Sequence, residues 1–167
     1  MTLLPKGSVW KFGNNISTDL IVPGRLSHLR SNLPELAKHI LEDADPDFPQ
    51  KVQVGDYIVA GENFGTGSSR EHAAEVIRLT QVRAVIAKSF ARIFFRNASN
   101  IGLWLIMTDT DNIEQGDELE VDLIHKQIHV LNRDILLPCK VPEGILLQIL
   151  QDGGLLRHLK KHGTYTL

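Results

Sequence analysis

The sequence predicts an α/β fold, with a parallel βαβαβ core, a small antiparallel meander and C-terminal helices. Three observations predict it. Apolar runs at 57–60, 82–87 and 103–107 alternate with amphipathic runs at 73–80 and 89–100, and strand–helix–strand–helix–strand implies parallel strands with right-handed crossovers. After Asp109 the period drops to two, in Leu119-x-Val121-x-Leu123 and Ile128-x-Val130, as in half-buried antiparallel strands. The helical period then returns at 142–152 and 155–162. A chain of 167 residues is long enough for one well-cored domain, expected to span residues 1–167.

Residues 8–12 alternate weakly and suit a short first strand, ended by the turn signal Gly13-Asn14-Asn15. Residues 16–25 read as an extended loop whose charged members are Asp19 and Arg25. Residues 25–32 lack apolar periodicity and carry Arg25, His28 and Arg30, as a solvated loop would. Asn32-Leu33-Pro34-Glu35 opens a helix with proline in its first turn. Leu36, Ile40 and Leu41 form its apolar stripe, and it should end near Asp43, before Pro46 and Pro49. Asp43, Asp45 and Asp47 imitate the start of a calcium loop but lack its glycine and distal glutamate.

Gly55-Asp56 turns into the strand at 57–60. In the helix at 89–100, Phe90, Phe94 and Ala98 share one face and belong to the core. Gly102 marks its end. Asn132-Arg133-Asp134 turns into a last strand at 135–137. The helix at 142–152 should point Ile145, Leu146, Ile149 and Leu150 inward, and Gly153-Gly154 should close it before a basic final helix.

Composition narrows the function. A net charge of −2 gives no electrostatic footprint for nucleic acid. No apolar run approaches a membrane span and no signal peptide precedes the first strand, so a cytoplasmic protein without a membrane partner is expected. Cys139 is the only cysteine. It excludes an internal disulfide and an iron–sulfur cluster held by this chain alone. His125, His129, His158 and His162 show no tight ligand motif with carboxylate or thiol support, and no metal is expected.

The most informative stretch is Gly61-Glu62-Asn63-Phe64-Gly65-Thr66-Gly67-Ser68-Ser69-Arg70-Glu71-His72. A strand feeds a glycine-rich turn that opens a helix. Ser68-x-x-Glu71 reads as a capping box that fixes the helix start. Free backbone N–H groups and the positive dipole end then favour an anion, and Arg70 adds a fork suited to a carboxylate or phosphate. In the plainer alternative, Ser68 is only a cap and Arg70 only a solvated side chain. Gly65-x-Gly67 lacks the third glycine of a dinucleotide site, and no Gly-Lys-Ser/Thr follows.

This stretch, together with Ala87-Lys88-Ser89-Phe90-Ala91-Arg92-Ile93-Phe94-Phe95-Arg96-Asn97 and the opening Val9-Trp10-Lys11-Phe12-Gly13-Asn14-Asn15-Ile16-Ser17-Thr18-Asp19, resembles the swivel domain of the aconitase superfamily. The likeness is to the separate small subunits of 3-isopropylmalate dehydratase and homoaconitase, and it covers nearly the whole chain. The resemblance implies a swivelling β/β/α fold and half of a hydro-lyase that isomerises a hydroxy di- or tricarboxylate. It implies a partner, a large subunit carrying a [4Fe-4S] cluster. By the same resemblance Ser68 matches the catalytic base, acting as an alkoxide, and Ser69 and Arg70 match substrate-carboxylate contacts. Asp19 belongs to the active-site face, Arg25 is a candidate further clamp, and Leu26, His28, Leu29 and Arg30 lie in the loop that meets the variable end of the substrate. His72 should support the turn. Thr66 departs from the cysteine frequent at its position. A non-catalytic anion-binding module stays open as a second class.

Overall fold

The computed structural model describes residues 2–68 and 70–163. Its parallel strands are β1 (Leu3–Lys11), β2 (Tyr57–Val59), β3 (Ala84–Ala87) and β4 (Leu105–Met107). From the other edge of β1, β5 (Glu118–Asp122), β6 (Gln127–Val130) and β7 (Ile135–Pro138) continue antiparallel. One mixed seven-stranded sheet results, ordered β4-β3-β2-β1-β5-β6-β7. The α/β class, parallel core and meander match expectation.

The first strand does not. It spans nine residues instead of five and lies at the centre, pairing Val9–Tyr57 in parallel and Leu4–Val121 antiparallel. Its first half hid from the pattern because Pro5 and Gly7 fall where the register shifts against β5. A proline inside a sheet is tolerated at such an irregularity.

Alternation along the parallel strands divides the interior in two. Ile58, Val85 and Leu105 face one core, shared with α4 (Glu71–Leu79) and α5 (Arg92–Asn100). Tyr57, Val59, Ile86 and Ile106 face the other, closed by β5, β6 and Leu150 of α6 (Gly144–Gln151). The last helix, α7, is Leu155–His162, as expected. Leu146, Ile149 and Leu150 of α6 pack inward, whereas Ile145 is exposed: α6 starts at Gly144, later than expected, so Ile145 sits in its first turn.

Shorter segments correct the expectations further. Residues 16–25 are not an extended loop. Ser17 accepts the Leu20 amide at 3.1 Å and caps α1 (Thr18–Ile21), a helix too short to show periodicity. Residues 24–29 form a 3-10 turn (Gly24–Leu29). Asn32 caps α2 (Leu33–Ala37), which ends sooner than expected, and turns carry the chain to Leu41 at φ 55°. Leu36, Ile40 and Leu41 are nonetheless buried. A one-turn helix, α3 (Phe48–Lys51), fills the proline-flanked segment with Pro49 in its first turn. The α5 helix begins at Arg92, so Phe90 lies before it and bridges to Phe64.

All four parallel strands end at the same edge, which gathers the segments after Lys11, Val59, Ala87 and Met107. In open α/β sheets ligands bind at that edge.

Candidate active site

The glycine-rich turn is pinned across this edge by backbone bonds. Gly61 N–H donates to Gly13, Gly65 N–H to Ile16 at 2.7 Å and Phe64 N–H to Ser89. In return, Ala91 N–H donates to Phe64 and Thr18 N–H to Thr66. Gly65 adopts φ +84° and lies so close to Phe94 that a Cβ would fall 2.2 Å from its ring. Only glycine combines that backbone with that approach. The Phe64 ring meets Phe94 edge-on at 5.3 Å between centroids, which locks the turn to the start of α5.

A cavity of about 240 Å³ lies between them, lined by Thr18, Thr66, Ser68, Arg70, Arg92 and Asn97 among others. Ser68 is exposed, and its Oγ accepts from Arg70 Nε at 3.1 Å. The Thr18 hydroxyl donates to the Ser68 carbonyl at 3.0 Å and so orients the residue. Arg70 also donates to the Val22 carbonyl at 3.2 Å and pairs with Asp19 Oδ1 at 2.6 Å. A guanidinium N–H on a hydroxyl oxygen favours the deprotonated form of that oxygen.

Ser68 is not the cap of α4. The N-cap of α4 is Arg70, two residues beyond Ser68, with no side-chain cap bond. The glycines carry the chain in an open turn before the helix starts, so the Ser68 hydroxyl bonds Arg70 rather than a helix amide. Ser69 lies outside the described residues. Burial, helped by the Arg70 and Arg30 guanidiniums, holds His72 below its ordinary value.

The other expected site residues are dispersed. Arg25 is absent from the cavity lining and pairs with Glu42 and Asp43 at 2.6 Å each. Leu26 and Leu29 pack against the helical core, while His28 and Arg30 are exposed. Arg30 lines a neighbouring cavity of about 480 Å³ with His72 and Asn97, the latter shared with the first. Arg92 and Asn97 were not singled out from the sequence, and Thr18 entered only beside Asp19. Each stands inside a motif quoted above, but only the fold brings the three motifs together.

Cys139 lines a different cavity, and burial pushes its thiol up to about 11. One half-buried thiol does not fit a [4Fe-4S] cluster. The four histidines also need a correction, because Asp152 gives His158 and His162 the carboxylate support that the sequence did not reveal. It accepts from His158 Nδ1 at 2.8 Å and His162 Nε2 at 3.0 Å, while Lys161 Nζ holds its other oxygen at 3.1 Å. The lysine already balances the carboxylate, which therefore serves as a clamp between α6 and α7. Asp152 lies only six residues before His158, but the Gly153-Gly154 turn between them breaks the helical spacing, so the pattern did not pair them. None of the described helices is long and apolar enough to cross a membrane.

Comparison with known proteins gives this geometry a family. The chain is 57% identical over 157 residues to 3-isopropylmalate dehydratase small subunit 2 of Archaeoglobus fulgidus, covering 94% of this chain and 95% of that one. The chain belongs to the aconitase-type dehydratase small subunits. Residues 37–110 match the aconitase C-terminal domain family. The methanogen homoaconitase small subunit of Methanocaldococcus jannaschii is 49% identical, over 95% of this chain and 93% of that one. A crystal structure of 3-isopropylmalate dehydratase from Methanocaldococcus jannaschii superposes with a TM-score of 0.90 at 48% identity, covering 96% of this chain and 95% of that one. As a member of this family the chain is a hydro-lyase subunit, and the non-catalytic alternative falls away.

Proposed function

We propose that residues 1–167 form one swivel domain, the small subunit of a cytoplasmic 3-isopropylmalate dehydratase serving leucine biosynthesis. The observation that carries the catalytic part is the Ser68 hydroxyl, exposed in the cavity and held at 3.1 Å by Arg70 Nε. Isomerisation removes a proton from a carbon beside a carboxylate, expels the neighbouring hydroxyl as water, and returns water the other way round. A free serine hydroxyl is far too weak a base for this. Arg70 N–H and the amino-terminal dipole of α4 stabilise its alkoxide, and the bound alkoxide accepts the substrate proton. Asp19 holds the Arg70 fork in place, and Ser69 with Arg70 contacts the substrate carboxylate.

A [4Fe-4S] cluster belongs to the large-subunit partner in this account, because the chain's single thiol cannot hold it; there it supplies the Lewis acid for the hydroxyl. Homocitrate is the second candidate substrate, which would make the chain a homoaconitase small subunit of lysine biosynthesis. The relative of that name at 49% identity and the exposed cationic Arg30 favour it. Anaerobic reconstitution with the cognate large subunit, assayed with isopropylmalate and homocitrate, tests the proposal. Turnover of isopropylmalate above homocitrate is expected. Turnover of neither would overturn it, and activity of this chain alone would overturn the need for a partner.

A further inference from the structure

We propose that Arg92 is a substrate-binding residue of the active site, the guanidinium that takes the second carboxylate of the substrate. The inference rests on the dehydratase assignment above and names a contact that the sequence did not.

A hydroxy dicarboxylate brings two negative charges into the cavity, and an unpaired carboxylate taken out of water is costly. Two guanidiniums line the cavity, Arg70 and Arg92. Arg70 is committed through all three of its nitrogens: Nε to Ser68, one terminal nitrogen to Val22 and the other to Asp19. One planar fork in that state cannot also bind two separate carboxylates bidentately. Arg25 is spent on Glu42 and Asp43.

Arg92 differs from both. It is exposed, lines the cavity, and has no hydrogen-bond or ion-pair partner among the described residues. Its position is fixed by neighbours rather than by a partner charge. Ala91 N–H is bound to the Phe64 carbonyl at 2.9 Å, and Phe94, two residues on, is buried against Gly65 and Phe64. The backbone of Arg92 is thus tied to the same turn that carries Ser68. Two further features suit an anion there. Ala91, the N-cap of α5, supplies no side-chain acceptor, so the first-turn amides stay open. The Asn97 amide, on the same helix and lining the same cavity, has no side-chain hydrogen bond among the described residues.

The geometry therefore separates the two ends of the substrate. Arg70 and Ser68 act at the reacting carbon with its adjacent carboxylate, and Arg92 with Asn97 holds the other carboxylate. Binding at the far end orients the near one.

The test compares Arg92→Gln and Arg92→Lys in the reconstituted two-subunit enzyme. Removing a charged hydrogen bond to a carboxylate should raise KM for the dicarboxylate by roughly 10- to 100-fold for Gln, and less for Lys. Melting temperature and subunit affinity should stay at wild-type values, because Arg92 holds no partner among the described residues. An unchanged KM, or a defect accounted for by weaker subunit association, would overturn the proposal. The second measurement does not depend on turnover. In the isolated chain, malate should shift the Arg92 Nε–H resonance in NMR titrations, and Arg92→Gln should weaken malate binding. An Arg92 signal that stays still at saturating malate counts against the contact. If that signal moves while wild-type enzyme turns over neither substrate, the assigned reaction is at fault and the contact survives.

Discussion

Gly65→Ala should destabilise the chain more than any surface substitution, and the structure sets the size of the effect. The new Cβ would lie 2.2, 2.5 and 2.7 Å from Phe94 Cγ, Cβ and Cδ1, at a backbone φ of +84°. A left-handed alanine costs about 1–2 kcal/mol. Forcing a methyl against a packed ring adds about 1–3 kcal/mol, and Phe94, 3% exposed, has little room to retreat. Together these give about 2–5 kcal/mol. For a chain of this size each kcal/mol moves the melting temperature by about 2–4 °C, so a fall of about 4–20 °C is expected by circular dichroism. Gly13→Ala is the control: nothing lies within 4 Å of its added Cβ, and its melting temperature should stay within about 2 °C of wild type. Because Phe94 fixes the start of α5, Gly65→Ala should also slow the reconstituted enzyme. A Gly65→Ala melt that overlays wild type would refute the close approach of turn and helix.

Three other outcomes are expected. Burial pushes the Asp117 carboxyl up, but hydrogen bonds from Arg133, Asn132 and the Glu114 amide outweigh it and hold it at about 2, against 3.8 ordinarily. The resulting stability, about 2 kcal/mol, is full above 3.8 and lost as pH falls through about 2, so the urea-midpoint gap between wild type and Asp117→Asn should narrow from pH 7 to pH 3. Asp152→Asn should loosen α7, read as faster amide exchange over Leu155–His162, since hydrogen bonds from His158, then Lys161 and His162, hold that carboxylate at about 2. His28→Ala and Arg30→Ala should change the ratio of kcat/KM for isopropylmalate and homocitrate more than kcat on the preferred one, and an unchanged ratio would make the loop ordinary surface.

Much of the fold was legible because long periodic segments carry their own signal. The alternation from Tyr57 to Met107 and the Leu119–Leu123 pattern marked the parallel core and meander. What sequence reading lost was set by tertiary contact. The central place of β1 depends on partners 48 and more residues away, and Pro5 and Gly7 break the strand pattern of its first half. One-turn helices such as α1 and α3 are shorter than the helical period can resolve. At the site, Ser68 and Arg70 stood out because small, polar and cationic residues crowd a glycine turn. The Arg70–Asp19 pair, 51 residues apart, did not follow from either motif alone, and neither did the commitment of Arg25 to Glu42 and Asp43. The Ser68 cap was a local rule overridden by an open turn.

The most direct test of the central claim is single-turnover kinetics of Ser68→Ala in the reconstituted enzyme. Ser68 is exposed and caps no helix, so its loss should change stability by less than about 0.5 kcal/mol. The complex should form and bind substrate, while the chemical step slows by roughly a hundredfold to ten-thousandfold, as for a lost general base. Near-normal turnover in a fully assembled Ser68→Ala enzyme would contradict the account.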